Sequence, residues 1–352
     1  MRNLLKTRLN PSCVRLIQNI SGFQETWKIL ADTQQDFYAD LKTTTIITSA
    51  GSSTRIEGAT LSDAEIQKKL VGLQIQNIQD RDDAEVAGYI DCKKYIFDMF
   101  QDLPISEHTI RSLHQMMMTY LSENIFPFAQ RGTYKNVTNS VVRIDPITDT
   151  QDIIFETTPP GPQTEAAMRE LVQDFNAYKE DPNYSDLEVI AAFIVKFLAI
   201  HPFRDGNGRM SRLLTDLCLL KQGYEFCMYT SHEKIIEDTK EQYYICLRQT
   251  QATLTANEED LNPWFFYFLK VLETQTQYLR DKLQPKKSGL FTEKEETVFR
   301  LIQKKSIVSI GFLERELGIK RVTLKAILAK MVVNNMIIME GQRKSSRYRI
   351  RH

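Results

Sequence analysis

Residues 201–212 read HPFRDGNGRMSR, and this stretch, with the apolar segments on either side, decides the fold. The run from Val189 to Ile200 predicts a helix that is buried on nearly all sides, with capping-box residues at its start. Pro202 disfavours a helical conformation in the residue before it, so we expect the chain to turn there. Leucines at 213, 214, 217 and 220, at separations of three, four and seven residues, predict a second helix from near Gly208 to Gly223.

The loop between the two helices has the composition of an anion-binding site. Gly206 and Gly208 flank Asn207, and glycine permits both positive φ values and close approach of the backbone to a ligand. The loop leads into a helix N-terminus, where free N–H groups and the helix dipole attract anions. Arg209 and Arg212 lie one turn apart on that helix, and their guanidinium groups could both reach a polyphosphate.

Two other side chains of the loop add chemistry to this anion site. Asp205 is a hard oxygen ligand beside it, which favours magnesium over a transition metal. His201 carries an imidazole, whose unperturbed pKa of about 6.5 suits general-base work. Taken singly, such residues are more often a core histidine, a turn or a solvated arginine face. Together, in nine contiguous residues, they are hard to explain by packing.

The nine residues HPFRDGNGR resemble the signature of the Fic (filamentation induced by cAMP) family, HPFx(D/E)GN(G/K)R, at every fixed position. The resemblance implies a mainly α fold, with a Fic-type helical core and a small β-hairpin flap. It also implies a protein adenylyltransferase that transfers AMP from ATP to a Tyr, Thr or Ser hydroxyl of a target protein. Gly208, where phosphotransferase relatives of the Doc branch carry lysine, favours this activity.

The resemblance also gives roles to individual residues. His201 is expected to deprotonate the target hydroxyl, and Asp205 to hold Mg²⁺ against the α- and β-phosphates. The expected phosphate-binding residues are Gly206, Asn207 and Gly208, as an anion hole, and Arg209 and Arg212, on the β- and γ-phosphates.

The resemblance extends to an adenine pocket. The stretch from Glu241 to Leu247 is similar to the family segment that lines it, which places Tyr244 against the base, with Tyr243 as the second choice. Some relatives carry an asparagine a few residues later, where this sequence has Gln249 or Gln251. Phe203 is expected to point into the core.

An upstream segment, residues 52–58, resembles the inhibitory helix of one family branch through its pattern (S/T)xxxE(G/N). Ser53 and Glu57 are four residues apart on one helical face, and Gly58 should end the helix, which we place at about 44–58. By resemblance, Glu57 pairs with Arg212 and prevents the γ-phosphate from binding. The alternatives are a plain surface helix, or a glutamate that assists removal of AMP from the target.

Residues 131–144 combine β-branched residues with glycine and asparagine, which predicts a short hairpin in a helical protein. This hairpin resembles the Fic flap, which aligns the target segment by strand addition. A surface hairpin without that role is the alternative.

The formal net charge is zero, but it is divided unevenly along the chain. Residues 286–352 hold 16 basic and 6 acidic side chains, which leaves 29 basic and 39 acidic residues in the rest. The basic part reads as three short helices and two strands, the pattern of a winged helix-turn-helix domain. Such a domain binds DNA, or serves as a dimerisation or docking module with a solvated basic face.

These observations divide the chain into four parts: an N-terminal helical region at 1–83, a Fic catalytic core at 84–279, a linker at 280–289 and a winged-helix domain at 290–352. Five cysteines without paired spacing, no apolar signal core and no run long enough for a membrane span predict a cytoplasmic protein without a membrane partner. A homodimer is left open. Two alternative functions remain: an ATP-sensing DNA-binding regulator, and transfer or removal of another nucleotide-derived group.

Overall fold

The structure is a computed structural model, and it describes residues 8–30, 35–72, 80–144, 151–254, 259–283, 292–305, 307–334, 336–341 and 346–350. The chain divides into two compact units, Met1–Arg280 and Asp281–His352. The predicted linker at 280–289 spans this division, although residues 284–291 lie outside the described residues. No helix among the described residues is long and apolar enough to cross a membrane.

The first unit is mainly α, as predicted, with one small two-stranded sheet. Its helices and strands are α1 (Pro11–Leu30), α2 (Gln35–Ile56), α3 (Asp63–Gly72), α4 (Arg81–Met99), α5 (Glu107–Met117), β1 (Ser140–Ile144), β2 (Gln151–Glu156), α6 (Pro162–Tyr178), α7 (Asp186–Ile200), α8 (Asn207–Lys221), α9 (His232–Asp238), α10 (Lys240–Gln251) and α11 (Asn262–Leu283). Short 3₁₀ turns lie at Phe128–Gln130 and Glu225–Tyr229.

Helix α7 forms the centre of the core. Every residue from Leu187 to Ile200 is buried, and a capping box between Ser185 and Glu188 starts the helix as the sequence predicts. Each large apolar side chain buried in this way contributes about 1.5–3 kcal/mol. The indole of Trp264, on α11, donates to the carbonyl of Ala191 at 2.7 Å, so the aromatic stripe of α11 covers α7. These contacts fix the end of α7, where the functional loop begins.

Helix α2 packs closely because its buried face is made of small residues. Ser49, Ala50, Ser52 and Ser53 are all fully buried, and the helix contacts α4, α8 and α9. The predicted inhibitory helix at about 44–58 is therefore the C-terminal half of a longer helix that ends at Ile56.

The hairpin differs from the prediction in its bounds. Residues 131–139 contain no strand, and β1 begins at Ser140 and pairs antiparallel with β2, with a bulge between Val141 and Val142. The first part of the predicted segment is fixed instead by its own side chains. The guanidinium of Arg131 donates to the carbonyls of Thr119, Leu121 and Phe126. The predicted bounds of the hairpin, 131–144, were therefore wrong, because local composition does not reveal such bonds.

In the part of the second unit that the structure describes there are three helices and a three-stranded antiparallel sheet of order β3-β5-β4. Its elements are α12 (Glu293–Lys305), β3 (Ile307–Val308), α13 (Ile310–Leu317), α14 (Arg321–Val333), β4 (Ile337–Glu340) and β5 (Arg347–Ile350). The sequence predicts three helices and two strands here; the described structure has them, and it also has the short strand β3, which was not predicted. The core of this unit is formed by Val298, Ile302, Val308, Leu313, Leu324, Ile327, Leu328, Met331 and Ile337. Its assignment as a winged helix stays a prediction.

The contact between α4 and α5 leads to a stability prediction. A Cβ on Gly88 would lie 2.0 Å from the backbone oxygen of Met117, so Gly88→Ala should lower the free energy of unfolding by about 1–3 kcal/mol. Gly22→Ala on α1 is the matched control, since nothing lies within 4 Å of its Cβ position. That change should raise stability by about 0.5–1 kcal/mol. Urea unfolding measures both, and equal effects would contradict this account of the α4–α5 contact.

Candidate active site

The loop at 201–206 is held in an unusual backbone conformation. His201 ends α7 with φ 52° and ψ 60°, and it alone among the non-glycine residues that the structure describes has a positive φ. Gly206 also has a positive φ, of 78°, and precedes the first residue of α8. The predicted turn at Pro202 is therefore confirmed, and the loop directs the N-terminus of α8 back towards His201.

Asn207 fixes the loop from the first turn of α8. Its side-chain amide donates to the Phe203 carbonyl at 2.7 Å and accepts from the Phe203 N–H at 2.9 Å. Both side-chain atoms are thus engaged with the backbone, and Phe203 is fully buried as expected. Backbone N–H groups in the first turn of a helix have no intrahelical acceptor, so in this turn they can donate hydrogen bonds to an anion.

His114, on α5, supports the loop from below and was missed by the sequence analysis. Its ring stacks on Phe203 with 3.8 Å between centroids and 4° between planes. Its Nε2 lies 3.1 Å from the Asp205 carbonyl, and its Nδ1 accepts from the Gly132 N–H at 2.9 Å. Burial lowers the pKa of His114 to about 4, so the ring is neutral and carries its proton on Nε2.

Asp205 lies at the partly exposed edge of the loop. Its Oδ2 pairs with Arg81 Nη2 at 2.9 Å, and its Oδ1 lies 3.5 Å from Arg209 Nη2. Arg81 also binds Glu85 through its Nε at 2.8 Å. Neither Arg81 nor Glu85 was singled out from the sequence, although both lie on the first turns of α4 and face the loop.

The two predicted phosphate-binding arginines point to different partners. Both are 2% exposed. Arg209 Nη1 lies 3.1 Å from Glu85, whereas Arg212 Nε and Nη2 bind the hydroxyl and the carbonyl of Ser53 at 2.8 and 2.9 Å. Arg212 Nη2 also binds Glu57 Oε1 at 2.8 Å. The structure therefore brings Ser53, Glu57 and Arg212 together.

Glu57 lies directly over the first turn of α8. A Cβ on Gly208 would be 2.2 Å from Glu57 Oε1, so only glycine admits the carboxylate there. Gly208 serves close approach rather than a positive φ, while Gly58 ends the segment with φ 109°. Burial opposes the charge of Arg212, but Glu57, together with Tyr243 and Tyr89, outweighs it and raises the pKa of Arg212. Nη1 of Arg212 is buried without a hydrogen-bond partner in the described structure.

Residues 104–219, which hold this loop and both helices, match the model of the Fic/DOC family. The chain contains a Fic-family domain.

Curated relatives match parts of the chain. A Fido domain-containing protein of Dictyostelium discoideum is 44% identical over 62 residues, which is 18% of this chain and 43% of that protein. Protein adenylyltransferase Fic of Drosophila grimshawi is 26% identical over 216 residues, 60% of this chain and 38% of that protein. The chain thus spans about two fifths of the length of these two relatives.

Two crystal structures share the fold. A Fic family protein from Desulfovibrio desulfuricans G20 has a TM-score of 0.65 at 20% identity, covering 100% of this chain and 98% of that chain. A Fic domain containing signaling protein from Bacteroides thetaiotaomicron has a TM-score of 0.60 at 23% identity, covering 75% and 97%. At these identities the likeness shows the Fic fold alone.

In this Fic-domain protein, α2 has a second anchor two residues before Glu57, at Arg55. Arg55 Nε lies 2.5 Å from Glu237 on α9, and Arg55 Nη2 lies 2.9 Å from Asp63. Ser52 also donates to Glu237 at 2.8 Å. Burial opposes the charge of Glu237, but Arg55 and Ser52 lower its pKa to about 2. The end of α2 is therefore held by arginine–carboxylate pairs to α8, α9 and α3.

A buried charge cluster lies beneath this anchor. Lys93 pairs with Asp216 and Glu233, and all three side chains are fully buried. Glu233 also accepts from Ser49 on α2 at 2.8 Å. His232, Asp216 and Glu233 offer ligand atoms within 4.8 Å of one another, but both carboxylates are already paired with Lys93. The cluster ties α2, α4, α8 and α9 together.

The two tyrosines expected near adenine have different surroundings. Tyr243 is 3% exposed, and its ring packs against Trp264 and Tyr267 in the aromatic core. Tyr244 is half-buried, and burial together with the charge of Glu57 raises its pKa. Tyr244 thus lies on the side of α10 near the Glu57 carboxylate, and its adenine contact stays a prediction.

In the second unit, α14 and the residue before it present an exposed basic face. Lys320, Arg321, Thr323 and Lys325 are all exposed, and Val322 is 81% exposed. The sequence also predicts a basic turn between the two strands, at 342–347, and residues 342–345 of it lie outside the described residues. DNA binding by this unit, and a homodimer, stay predictions.

The Arg55 anchor predicts the local stability of α2. Arg55→Ala should weaken this end of the helix by about 1–2 kcal/mol, because its partly buried carboxylate partner loses a charged hydrogen bond. Amide hydrogen exchange at residues 49–58 should then become roughly tenfold faster. Lys42→Ala, on the same helix, removes the more exposed pair with Asp98 and is the control. Equal exchange in the two variants would show that Arg55 does not anchor the helix.

Proposed function

We propose that this protein transfers AMP from ATP to a side-chain hydroxyl, of Tyr, Thr or Ser, on a target protein, and that Glu57 restrains the transfer. The observation that carries this proposal is the Glu57 carboxylate, which binds Arg212 over the first turn of α8. An anion held by a guanidinium at a helix N-terminus occupies a place suited to a phosphate group. The names of several relatives, protein adenylyltransferase, support the same activity.

His201 has the protonation state that a general base requires. Burial and the charge of Lys135 lower the pKa of His201, so the imidazole is neutral near neutral pH. Its Nδ1 lies 3.2 Å from the Leu198 carbonyl and donates to it, which leaves Nε2 free to accept a proton. The target oxygen forms a bond to the α-phosphorus, its proton goes to Nε2, and the bond from the α-phosphorus to the bridging oxygen breaks. Pyrophosphate leaves with the electron pair.

The charge on the phosphates is balanced by groups around α8. The donors are the N–H groups of the first turn of α8 and the guanidinium groups of Arg209 and Arg212. A preformed set of donors needs no reorganisation during the reaction. Electrostatic stabilisation of this kind is typically the largest contribution to such transfers.

Asp205 is the residue that would hold Mg²⁺. Its carboxylate is 39% exposed at the edge of the loop, and hard carboxylate oxygens suit this ion. Arg81, which now pairs with it, is itself 55% exposed and can withdraw into solvent. When bound, Mg²⁺ would supply positive charge to the phosphate oxygens.

The target would dock on the β1–β2 sheet. Among the described residues this sheet has two strands, so each has an outer edge whose backbone groups can pair with an extended target segment. That docking would bring a target hydroxyl towards His201, because residues just before β1 are bonded to the loop.

Glu57 restrains the reaction by competing with a phosphate for Arg212. A nucleotide would bind, but without its full contact to Arg212 its α-phosphate would be misaligned for attack. Removal of AMP by the same glutamate, transfer of a different group, and ATP sensing by a DNA-binding protein are the alternative functions. Incorporation of label from the α-phosphate of ATP, compared with label from the γ-phosphate, separates AMP transfer from transfer of a different group such as phosphate.

The first functional prediction concerns Glu57. Glu57→Gly should raise incorporation of α-labelled AMP into the protein itself and into targets by at least about tenfold, because Arg212 becomes available to the nucleotide. Intact mass should increase by one AMP. Adding His201→Ala should abolish the gain while calorimetry still detects ATP binding.

Two outcomes would contradict the proposal. Unchanged or lower labelling in the Glu57→Gly variant would remove the inhibitory role of Glu57. Full labelling in the double variant would remove His201 as the base.

The second functional prediction concerns Asp205. In the Glu57→Gly background, Asp205→Asn should lower AMP transfer by about 100-fold or more, because a charged oxygen ligand is lost. Chelation of Mg²⁺ by EDTA should have a similar effect on the parent. Added Mg²⁺ should restore the EDTA-treated parent but only partly restore the variant. Full activity of the variant at low Mg²⁺ would contradict the assignment of Asp205.

A further inference from the structure

Lys135 is a buried lysine with uncharged partners. It lies on the segment between α5 and β1 and is 2% exposed. Its Nζ donates to Asn139 Oδ1 at 2.6 Å, to Thr157 Oγ1 at 2.7 Å and to the Ile200 carbonyl at 3.0 Å. Within the described ranges no carboxylate forms an ion pair with it. Burial of an ammonium group without a counter-charge is costly, and it lowers the pKa of Lys135 to about 8.

The partners of Lys135 join the hairpin to the functional loop. Asn139 directly precedes β1, Thr157 directly follows β2, and Ile200 is the last residue of α7. The backbone N–H of Lys135 also donates to the Pro202 carbonyl at 2.7 Å. One ammonium group therefore binds both ends of the hairpin and the helix end that carries His201.

A second set of bonds strengthens this junction. The Asn139 amide donates to the Phe203 carbonyl at 2.8 Å and to the His201 carbonyl at 3.3 Å. The hydroxyl of Thr157 donates in turn to Asn139. A displacement of the hairpin would therefore be transmitted to the backbone on both sides of Pro202.

We propose that Lys135 is a positioning residue that couples the target-docking hairpin to His201 and whose charge keeps the imidazole unprotonated. This inference rests on the function proposed above. A purely structural lysine would need only its hydrogen bonds. Here the ammonium binds the carbonyl of Ile200, the residue directly before His201, so its charge is held next to the functional loop. The cost of burying this charge is explained if the imidazole must stay neutral.

The charges around His201 give the sign of the expected effect. Burial and Lys135 lower its pKa, whereas Glu57, Asp205 and the Leu198 carbonyl raise it. Replacing Lys135 by an uncharged residue removes the repulsion between its ammonium group and the protonated imidazole of His201, which the neutral imidazole does not experience. The pKa of His201 must then rise, and a smaller fraction of the protein carries the free base near neutral pH.

The direct test is an NMR titration of the histidine rings in the full chain, with the His201 signal assigned from a His201→Gln spectrum. Lys135→Met should shift the His201 titration to higher pH, and Lys135→Arg should leave it near the wild-type position. Lys221→Met is the control, because it removes a lysine from the far end of α8, about 20 Å along the helix.

The titration needs no enzymatic activity, so it decides about Lys135 even if the proposed function fails. An unchanged His201 titration in Lys135→Met, or an equal shift in Lys135→Arg, would overturn the proposal. So would a wild-type His201 that is still protonated near neutral pH, which requires no variant to fold.

The second measurement is AMP transfer in the Glu57→Gly background. There, Lys135→Met should lower kcat by roughly tenfold or more and move the acid limb of kcat/KM to higher pH, with KM for ATP little changed. Lys135→Arg should restore the pH profile. A lower kcat with an unmoved acid limb would reduce Lys135 to a structural residue. A Glu57→Gly parent without AMP transfer would refute the proposed function separately.

Discussion

The guanidinium of Arg212 is buried, and a buried charge requires an opposite charge beside it. In this structure Glu57 supplies that charge, and Ser53 satisfies two of the remaining donors. Helix α2 must therefore pack against α8 with Ser53 and Glu57 beside Arg212, and its face of small buried residues permits that close approach. An anion from outside that binds Arg212 Nη2 must take the place of Glu57. The docking of the end of α2 and the binding of a phosphate consequently depend on the same guanidinium, that of Arg212.

The geometry of α2 keeps the cost of that exchange small. Glu57 lies one residue beyond the end of the helix, and Gly58 follows it with a positive φ that glycine adopts without strain. The carboxylate can therefore move away while the helix stays folded. Arg55, on the other side of the same turn, remains bound to Glu237 and keeps α2 docked on α9. Release of Glu57 then needs a local change of backbone rather than loss of the helix.

Sequence alone predicted the features that depend on neighbouring residues. The capping box of α7, the turn at Pro202 and the glycine at 223 all follow from short spacings, and the structure has them. The residues that it missed act over long separations. His114 meets a loop 91 residues away, and Lys135 binds a carbonyl 65 residues away. No local pattern marks such residues. The hairpin was misplaced for the same reason, since its first half is fixed by side-chain bonds.

The arginines and carboxylates around the functional loop balance one another in charge. Arg81, Arg209 and Arg212 face three carboxylates, those of Asp205, Glu85 and Glu57, so the site as folded is close to neutral. A polyphosphate brings several negative charges, and a neutral site gains little from them. Removing Glu57 from Arg212 makes one guanidinium available, and a divalent cation on Asp205 frees Arg81. On the proposed mechanism, nucleotide and metal therefore bind best together, and Glu57 opposes both through one ion pair.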